Sequence, residues 1–166
     1  MKTKDITITA LMAALVFVGT YFLKIPLPFG YTHLGDCLII LTVIIFGWKK
    51  GTVAGMIGAG LADLLGGYVS WVVPTAVIKG GWALIMGLIM YKAGKGKLVY
   101  GIIGAAAGGV FQIIGYTLVR VVLYGAAAAI TALPILAGQT ICGIVIGVVL
   151  AVVFDKAGVS KRLAAV

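Results

Sequence analysis

Apolar residues run through this chain in long blocks, interrupted by short clusters of glycine, proline, lysine and aromatic residues. Within the blocks there is no polar stripe at helical spacing, so a helix built from one would be hydrophobic on every side. That is the pattern of helices surrounded by lipid or by other helices. Counting blocks between breakers predicts six helices, at about 6–23, 36–47, 51–67, 73–91, 98–124 and 132–154. At about 1.5 Å of rise per residue, a hydrocarbon core of roughly 30 Å calls for about 20 residues. The second and third helices are short by that measure, and the second must be shielded by its neighbours or incomplete as a span. The fold class expected is an all-α integral membrane protein, a single membrane domain of six transmembrane helices over residues 1–166.

Composition agrees with the pattern. Of 166 residues, 63% are hydrophobic and 10% charged, against roughly 45–50% and 25% in soluble domains. The first apolar run follows Lys2 and Lys4, is long for a signal-peptide core and lacks an obvious cleavage site, so it is expected to remain as the first membrane helix. The net charge of +9 would suggest nucleic acid on a soluble surface, but here the charges sit in the short segments between apolar runs. In a six-span arrangement Lys2, Lys4, Lys49, Lys50, Lys92, Lys95, Lys97, Lys156, Lys161 and Arg162 fall on one side, and Lys24 alone lies in an opposite loop. This bias predicts both termini in the cytoplasm.

Small residues recur at helical spacing: Gly51, Gly55 and Ala59, with Gly58 and Ala62 beside them, then Gly104 and Gly108. Such ridges let helix backbones approach closely in lipid, and internal packing is the favoured reading. Ala10 and Ala14 form a similar pair on the first helix. Spacing alone leaves open whether they meet another helix of this chain or a partner.

An ionisable side chain inside a span costs about 2.5–3.5 kcal/mol on insertion scales and asks for a reason. The candidates are Asp36, opening helix 2; Asp63, near the end of helix 3; Lys79, early in helix 4; and Arg120, late in helix 5. In the six-span topology all four fall in the outer half of the membrane. His33, Tyr31, Tyr68, Trp71, Tyr116, Tyr124 and Gln139 gather there too, with Gln112 nearer mid-depth, while the inner half is almost free of polar side chains. This predicts an outward-facing cup with a sealed floor; a pore would need polar lining at every depth. Asp36 could instead cap its helix. Asp63, at a helix C-terminus where the dipole disfavours a carboxylate, should have a cation partner, with Lys79 or Arg120 the candidates. Gln112, Tyr116 and Arg120 lie four apart on one face, a row suited to a polar ring. His33 could simply face solvent, and Tyr68 and Trp71 match an interfacial aromatic belt. The segment 24–35, with Pro26, Pro28, Gly30 and Gly35 around large apolar residues, is expected to be a structured lid over the cup. Loop 66–72 is a second rim element, with Pro74 helping to start helix 4.

No phosphate-binding loop, zinc-protease motif or nucleophile elbow is present. One histidine and four carboxylates leave little for general acid–base work, so no enzyme, no metal and no cofactor are expected. Cys37 and Cys142 read as buried thiols. The competing classes are a non-transporting membrane scaffold or assembly protein, and a small channel or proton-coupled carrier.

Taken in order, Ala10 and Ala14 on helix 1, Tyr31-Thr32-His33-Leu34-Gly35-Asp36 ahead of helix 2, Ala62-Asp63-Leu64 within Gly55 to Gly67, and Val77-Ile78-Lys79-Gly80 resemble the S component of an energy-coupling factor (ECF) vitamin transporter. The branch is the one that includes riboflavin, hydroxymethylpyrimidine and pyridoxine carriers, and the resemblance covers nearly the whole chain. It implies capture of a vitamin or precursor from outside, and association with a transmembrane T component and two cytoplasmic ATPases in the plasma membrane of a prokaryote. It also implies that Ala10 and Ala14 form the face that meets the T component, and that substrate is delivered by toppling of the whole bundle. The outer charges nearly balance and aromatics abound, so the expected substrate is a small hydroxylated heteroaromatic ring, first hydroxymethylpyrimidine or pyridoxine. Pantothenate, with its carboxylate on Lys79 or Arg120, and riboflavin are the alternatives. The substrate-binding set is Tyr31, His33, Asp36, Asp63, Tyr68, Lys79, Gln112, Tyr116, Arg120 and Gln139.

Overall fold

The computed structural model describes residues 3–27 and 30–158. Lys2, Pro28, Lys161 and Arg162 lie outside the described residues, as do the side chains of Lys24 and Tyr31. Six helices form: α1 (Thr3–Tyr21), α2 (Gly35–Phe46), α3 (Trp48–Leu65), α4 (Val69–Gly87), α5 (Leu98–Tyr124) and α6 (Ala126–Lys156). Leu88–Ala93 prolongs α4 as π-helical turns. Among the described residues four spans are long and apolar enough to cross a membrane: α1, α4 with its extension, α5 and α6. α2, at 12 residues, is only about 18 Å long. It is nonetheless buried over most of its length, from Gly35 to Val43, so its neighbours and not lipid satisfy it.

The helices close into a ring in the order α1, α3, α4, α5, α6, α2, with α2 returning to α1. Glycine sets the closeness of that ring. A Cβ at Gly104 would stand 2.7 Å from the Met86 carbonyl oxygen, so α4 and α5 touch backbone to backbone there. Gly51 and Gly55 face Val43 and Ile39 of α2, and Gly58 faces Ala13 and Val16 of α1. These ridges therefore serve internal packing. The space they leave is filled by Val16, Ile39, Ile40, Val43, Ala59, Trp82, Ala83, Met86 and Ala105. Large apolar side chains also cover the outside, Val73, Val122 and Ile130 among them, as expected where lipid and not water is the solvent.

Three features depart from the sequence pattern. First, the segment between α1 and α2 is a β-hairpin: β1 (Lys24–Leu27) pairs antiparallel with β2 (Gly30–His33), Lys24 opposite His33. Its base is tied to α1 by the Leu34 amide, which donates to Gly19 O at 3.1 Å and to Leu23 O at 3.3 Å. Pro26 is compatible with this because a two-stranded sheet has only edge strands. Secondly, α4 begins at Val69 and carries Pro74 inside it. Thirdly, α6 begins at Ala126, well before 132, and carries Pro134 inside it. Both prolines lie within the first three turns, and helices in bundles tolerate such interruptions when neighbouring groups satisfy the freed carbonyl.

Candidate functional site

The hairpin, the α3–α4 turn and the α5–α6 turn meet at one end of the bundle, where they enclose a cavity of about 440 Å³. Helical spacing explains which side chains enter it. Trp71 and Thr75 come from one face of α4; Tyr116, Arg120 and Tyr124, each four residues apart, from one face of α5; Ala132, Ile135, Leu136 and Gln139 from α6. Asp63 lies in the last turn of α3, Tyr68 follows in the turn, and His33 closes the ring from the hairpin.

One wall is aromatic. Trp71 stacks with Tyr124 at 6.1 Å between ring centroids and 27° between planes, and its indole N–H donates to the Tyr124 hydroxyl at 2.9 Å. Tyr116 also meets Trp71, tilted by 37° at 5.8 Å between ring centroids, and its hydroxyl donates to Thr75 Oγ1 at 3.2 Å. The Arg120 guanidinium sits 5.3 Å from the Trp71 ring centroid. This contact orients the cation at the cavity wall, while its Nε is buried without a hydrogen-bond partner.

Beneath the cavity lies a buried polar layer. Lys79 Nζ donates to Asp36 Oδ1 and to Gln112 Oε1 at 2.6 Å. Gln112 Nε2 donates to Thr140 Oγ1 at 2.9 Å and more weakly to Asp36 Oδ2 at 3.4 Å. Gln139 Nε2 donates to Asp36 Oδ2 at 3.2 Å and lies 3.1 Å from His33 Nε2, which links this layer to the hairpin. Asp36, Lys79 and Gln112 are 0%, 1% and 0% exposed. A buried ion pair carries a desolvation cost of several kcal/mol per ion, offset only where further hydrogen bonds satisfy both charges. Here Gln112 and Gln139 supply them. Lys79 Nζ also lies 5.4 Å from the rings of both Tyr116 and Trp82, and below it the apolar core is closed.

The ten residues proposed from sequence thus divide into three groups. His33, Asp63, Tyr68, Tyr116, Arg120 and Gln139 line one hollow. Asp36, Lys79 and Gln112 form its floor without lining it. The side chain of Tyr31 lies outside the described residues. The expected partner of Asp63 is corrected: Lys79 pairs with Asp36, and Asp63 makes no ion pair among the described residues. The ring order explains this, because α2 enters the bundle at Asp36 and aims that carboxylate at α4. The N-cap position of α2 is Leu34, and Asp36 lies in the first turn with its carboxylate on Lys79, Gln112 and Gln139. Sequence reading left Trp71 and Tyr124 out of the site and did not single out Thr75, Ala132, Ile135, Leu136 or Thr140. The four-residue register from Tyr116 and Arg120 reaches Tyr124, and that from Lys79 reaches Thr75 and Trp71; the apolar liners carry no such signal.

Ala10 and Ala14 are exposed on the outer face of α1 beside Leu11 and Leu15, 60% and 41% exposed, while Met12, Ala13 and Val16 pack inward. Among the described residues no group of three or more His, Cys, Asp or Glu side chains could hold a metal ion. Cys37 is buried, Cys142 half-buried, and both are free thiols.

Apolar flanks, several helices of spanning length and a polar-lined cavity at one end of the bundle define a multi-pass membrane protein with a ligand-sized chamber. Over residues 1–156 the chain matches the model of the family of ECF-type riboflavin transporter S components, and it belongs to that family, one of transporter subunits and not of enzymes. It is 38% identical over 136 residues to the "uncharacterized protein in gap 3'region" of Pyrococcus woesei, covering 80% of this chain and 88% of the relative. It is 28% identical over 159 residues to the thiamine precursor transporter HmpT of Lactococcus lactis subsp. cremoris, covering 94% and 90%.

Proposed function

We propose that this protein captures a small, neutral, heteroaromatic vitamin or vitamin precursor from outside a prokaryotic cell, hydroxymethylpyrimidine or pyridoxine first. It would do so as the S component of an ECF transporter whose T component and two ATPases drive uptake. The observation that carries this reading is the cavity. At about 440 Å³ it lies within the roughly 300–1,000 Å³ of small-molecule sites, and its aromatic wall is interrupted by one cation and one carboxylate. Arg120 and Asp63 balance, so the chamber suits a neutral ring held by stacking and a few directional hydrogen bonds. Pantothenate loses support, because Lys79, one of the two cations available to its carboxylate, is engaged by Asp36. The likeness to a thiamine precursor transporter favours the pyrimidine, and the family description keeps riboflavin as the comparison.

In this reading the chain crosses the membrane six times with both termini inside. The lysines of the opposite end, from Lys49 and Lys50 to Lys92, Lys95 and Lys97, then face the cytoplasm, and the hairpin covers the cup. The closed core below the Asp36–Lys79 layer gives no inward path, so release requires movement of the whole subunit against its partners. The exposed Ala10 and Ala14 face is the surface proposed to meet the T component.

A thermal-shift panel of water-soluble vitamins and precursors on the purified protein tests the reading, because a ligand bound only by the folded form raises the melting temperature. A specific rise with a pyrimidine or pyridine is expected. No shift with any member of the panel, together with failure to copurify a T component, would return the scaffold reading.

A further inference from the structure

The two carboxylates near the cavity differ in what they have left to offer. Asp36 is fully engaged by Lys79, Gln112 and Gln139, and Gly143 packs against its Cβ. Asp63 makes no ion pair among the described residues; Thr75 is its side-chain hydrogen-bond partner, and Lys79 acts on it only at longer range. It opens into the main cavity and also into an adjoining annexe of about 70 Å³, which Thr20, Tyr21, Ala62 and Gly66 help to line. Arg120 stands on α5, on the far side of α4 from α3, and leans on Trp71. Asp63 is only partly buried, and a ligand that displaces water from it must hydrogen-bond the oxygens it covers, so a ligand that occupies both oxygens gains most at this position.

We propose that Asp63 is the specificity-determining residue of the chamber and reads an aminopyrimidine edge, a ring nitrogen beside an exocyclic amine. The inference rests on the substrate-capture reading above. One Asp63 oxygen accepts the amine N–H. The ring nitrogen, basic enough to take up a proton on binding, donates it to the other oxygen of the ionised carboxylate, so both oxygens are used at once. The annexe, with room for about two waters at roughly 30 Å³ each, takes a small ring substituent. A ring with a carbonyl in place of the amine turns a lone pair towards the same oxygen and is rejected. A flavin imide, one N–H between two carbonyls, is rejected for the same reason.

Isothermal titration of the full chain in detergent micelles tests this with three probes: hydroxymethylpyrimidine with its amine, the analogue with a carbonyl in its place, and riboflavin. The wild type should prefer the amine over the carbonyl analogue by about tenfold or more, the effect of one charge-assisted hydrogen bond. Asp63→Ala should reduce that preference to within about threefold. Asp63→Asn should reduce it likewise, because a side-chain amide can turn over and offer its N–H to the carbonyl and its oxygen to the ring N–H as readily as it serves the amine. Equal binding of the two pyrimidines by the wild type overturns the proposal, and that comparison stands even if Asp63→Ala fails to fold. A preference that survives in a folded Asp63→Ala protein also overturns it. Binding of riboflavin but of neither pyrimidine overturns the role of Asp63 and leaves vitamin capture intact, whereas binding of none of the probes overturns both.

Discussion

The two ends of the bundle solve opposite problems with the same helices. At the hairpin end, Trp71 of α4 and Tyr116 and Tyr124 of α5 line a chamber together with residues of α3, α6 and the hairpin. Towards the other end the same two helices touch through Gly104 and the Met86 backbone, and Trp82, buried between them, donates to the Ala105 carbonyl at 2.9 Å. Between the halves lies a single polar layer, Asp36, Lys79, Gln112 and Thr140. The contrast teaches that ionisable residues at similar positions along a helix can serve different purposes: Lys79 closes the floor, whereas Arg120 and Asp63 face what enters.

The contrast can be broken most severely at the floor. Lys79→Met leaves the Asp36 carboxylate buried without its cation, and removing one partner of a buried pair typically costs about 3–5 kcal/mol. Loss of monodisperse protein, or a large fall in melting temperature, is the expected outcome. The double variant Lys79→Met with Asp36→Leu should recover part of the loss. A single variant as stable as the wild type would show that the layer is not structural.

A smaller effect, confined to binding, is expected at the wall. Arg120→Ala should weaken ligand affinity by about 10- to 100-fold, the range of a charge-assisted hydrogen bond, with a change in stability of no more than about 1 kcal/mol from the lost contact with Trp71. Titration calorimetry and thermal melting, run side by side, separate the two quantities. Equal affinity in the variant would remove Arg120 from the site.

The smallest effect on binding is expected outside the ring. Ala14→Trp adds bulk to an exposed surface and should leave ligand affinity within about twofold, because surface changes away from packed features usually stay within 0.5 kcal/mol. It should abolish copurification with the T component. Retained assembly would move the partner face elsewhere.

Much of this architecture was legible in the chain, and the reasons are physical. Apolar blocks fixed α1 and α5 closely because every residue facing lipid must be apolar. The gathering of Asp63, Tyr116, Arg120 and Gln139 at one end followed from helix direction alone. Two things could not be read. The partner of Lys79 depends on which helices adjoin in the ring, and nothing in the order of residues places α2 beside α4 and α6. The helix starts at Val69 and Ala126 were masked by Pro74 and Pro134, which look like boundaries but lie inside helices. The hairpin was hidden similarly, since Pro26 and Pro28 suggested a lid without indicating strands.

The central claim is that the chamber at the hairpin end is where ligand binds, and tryptophan fluorescence tests it directly. Trp71 lines the chamber, Trp82 is buried in the core, and Trp48 packs near the opposite end against Gly87. Titration with hydroxymethylpyrimidine should change the emission of the wild-type protein saturably. The change should vanish in Trp71→Phe and persist in Trp48→Phe. A saturable change that survives Trp71→Phe and disappears with Trp48→Phe would place the ligand at the other end of the bundle and contradict the account.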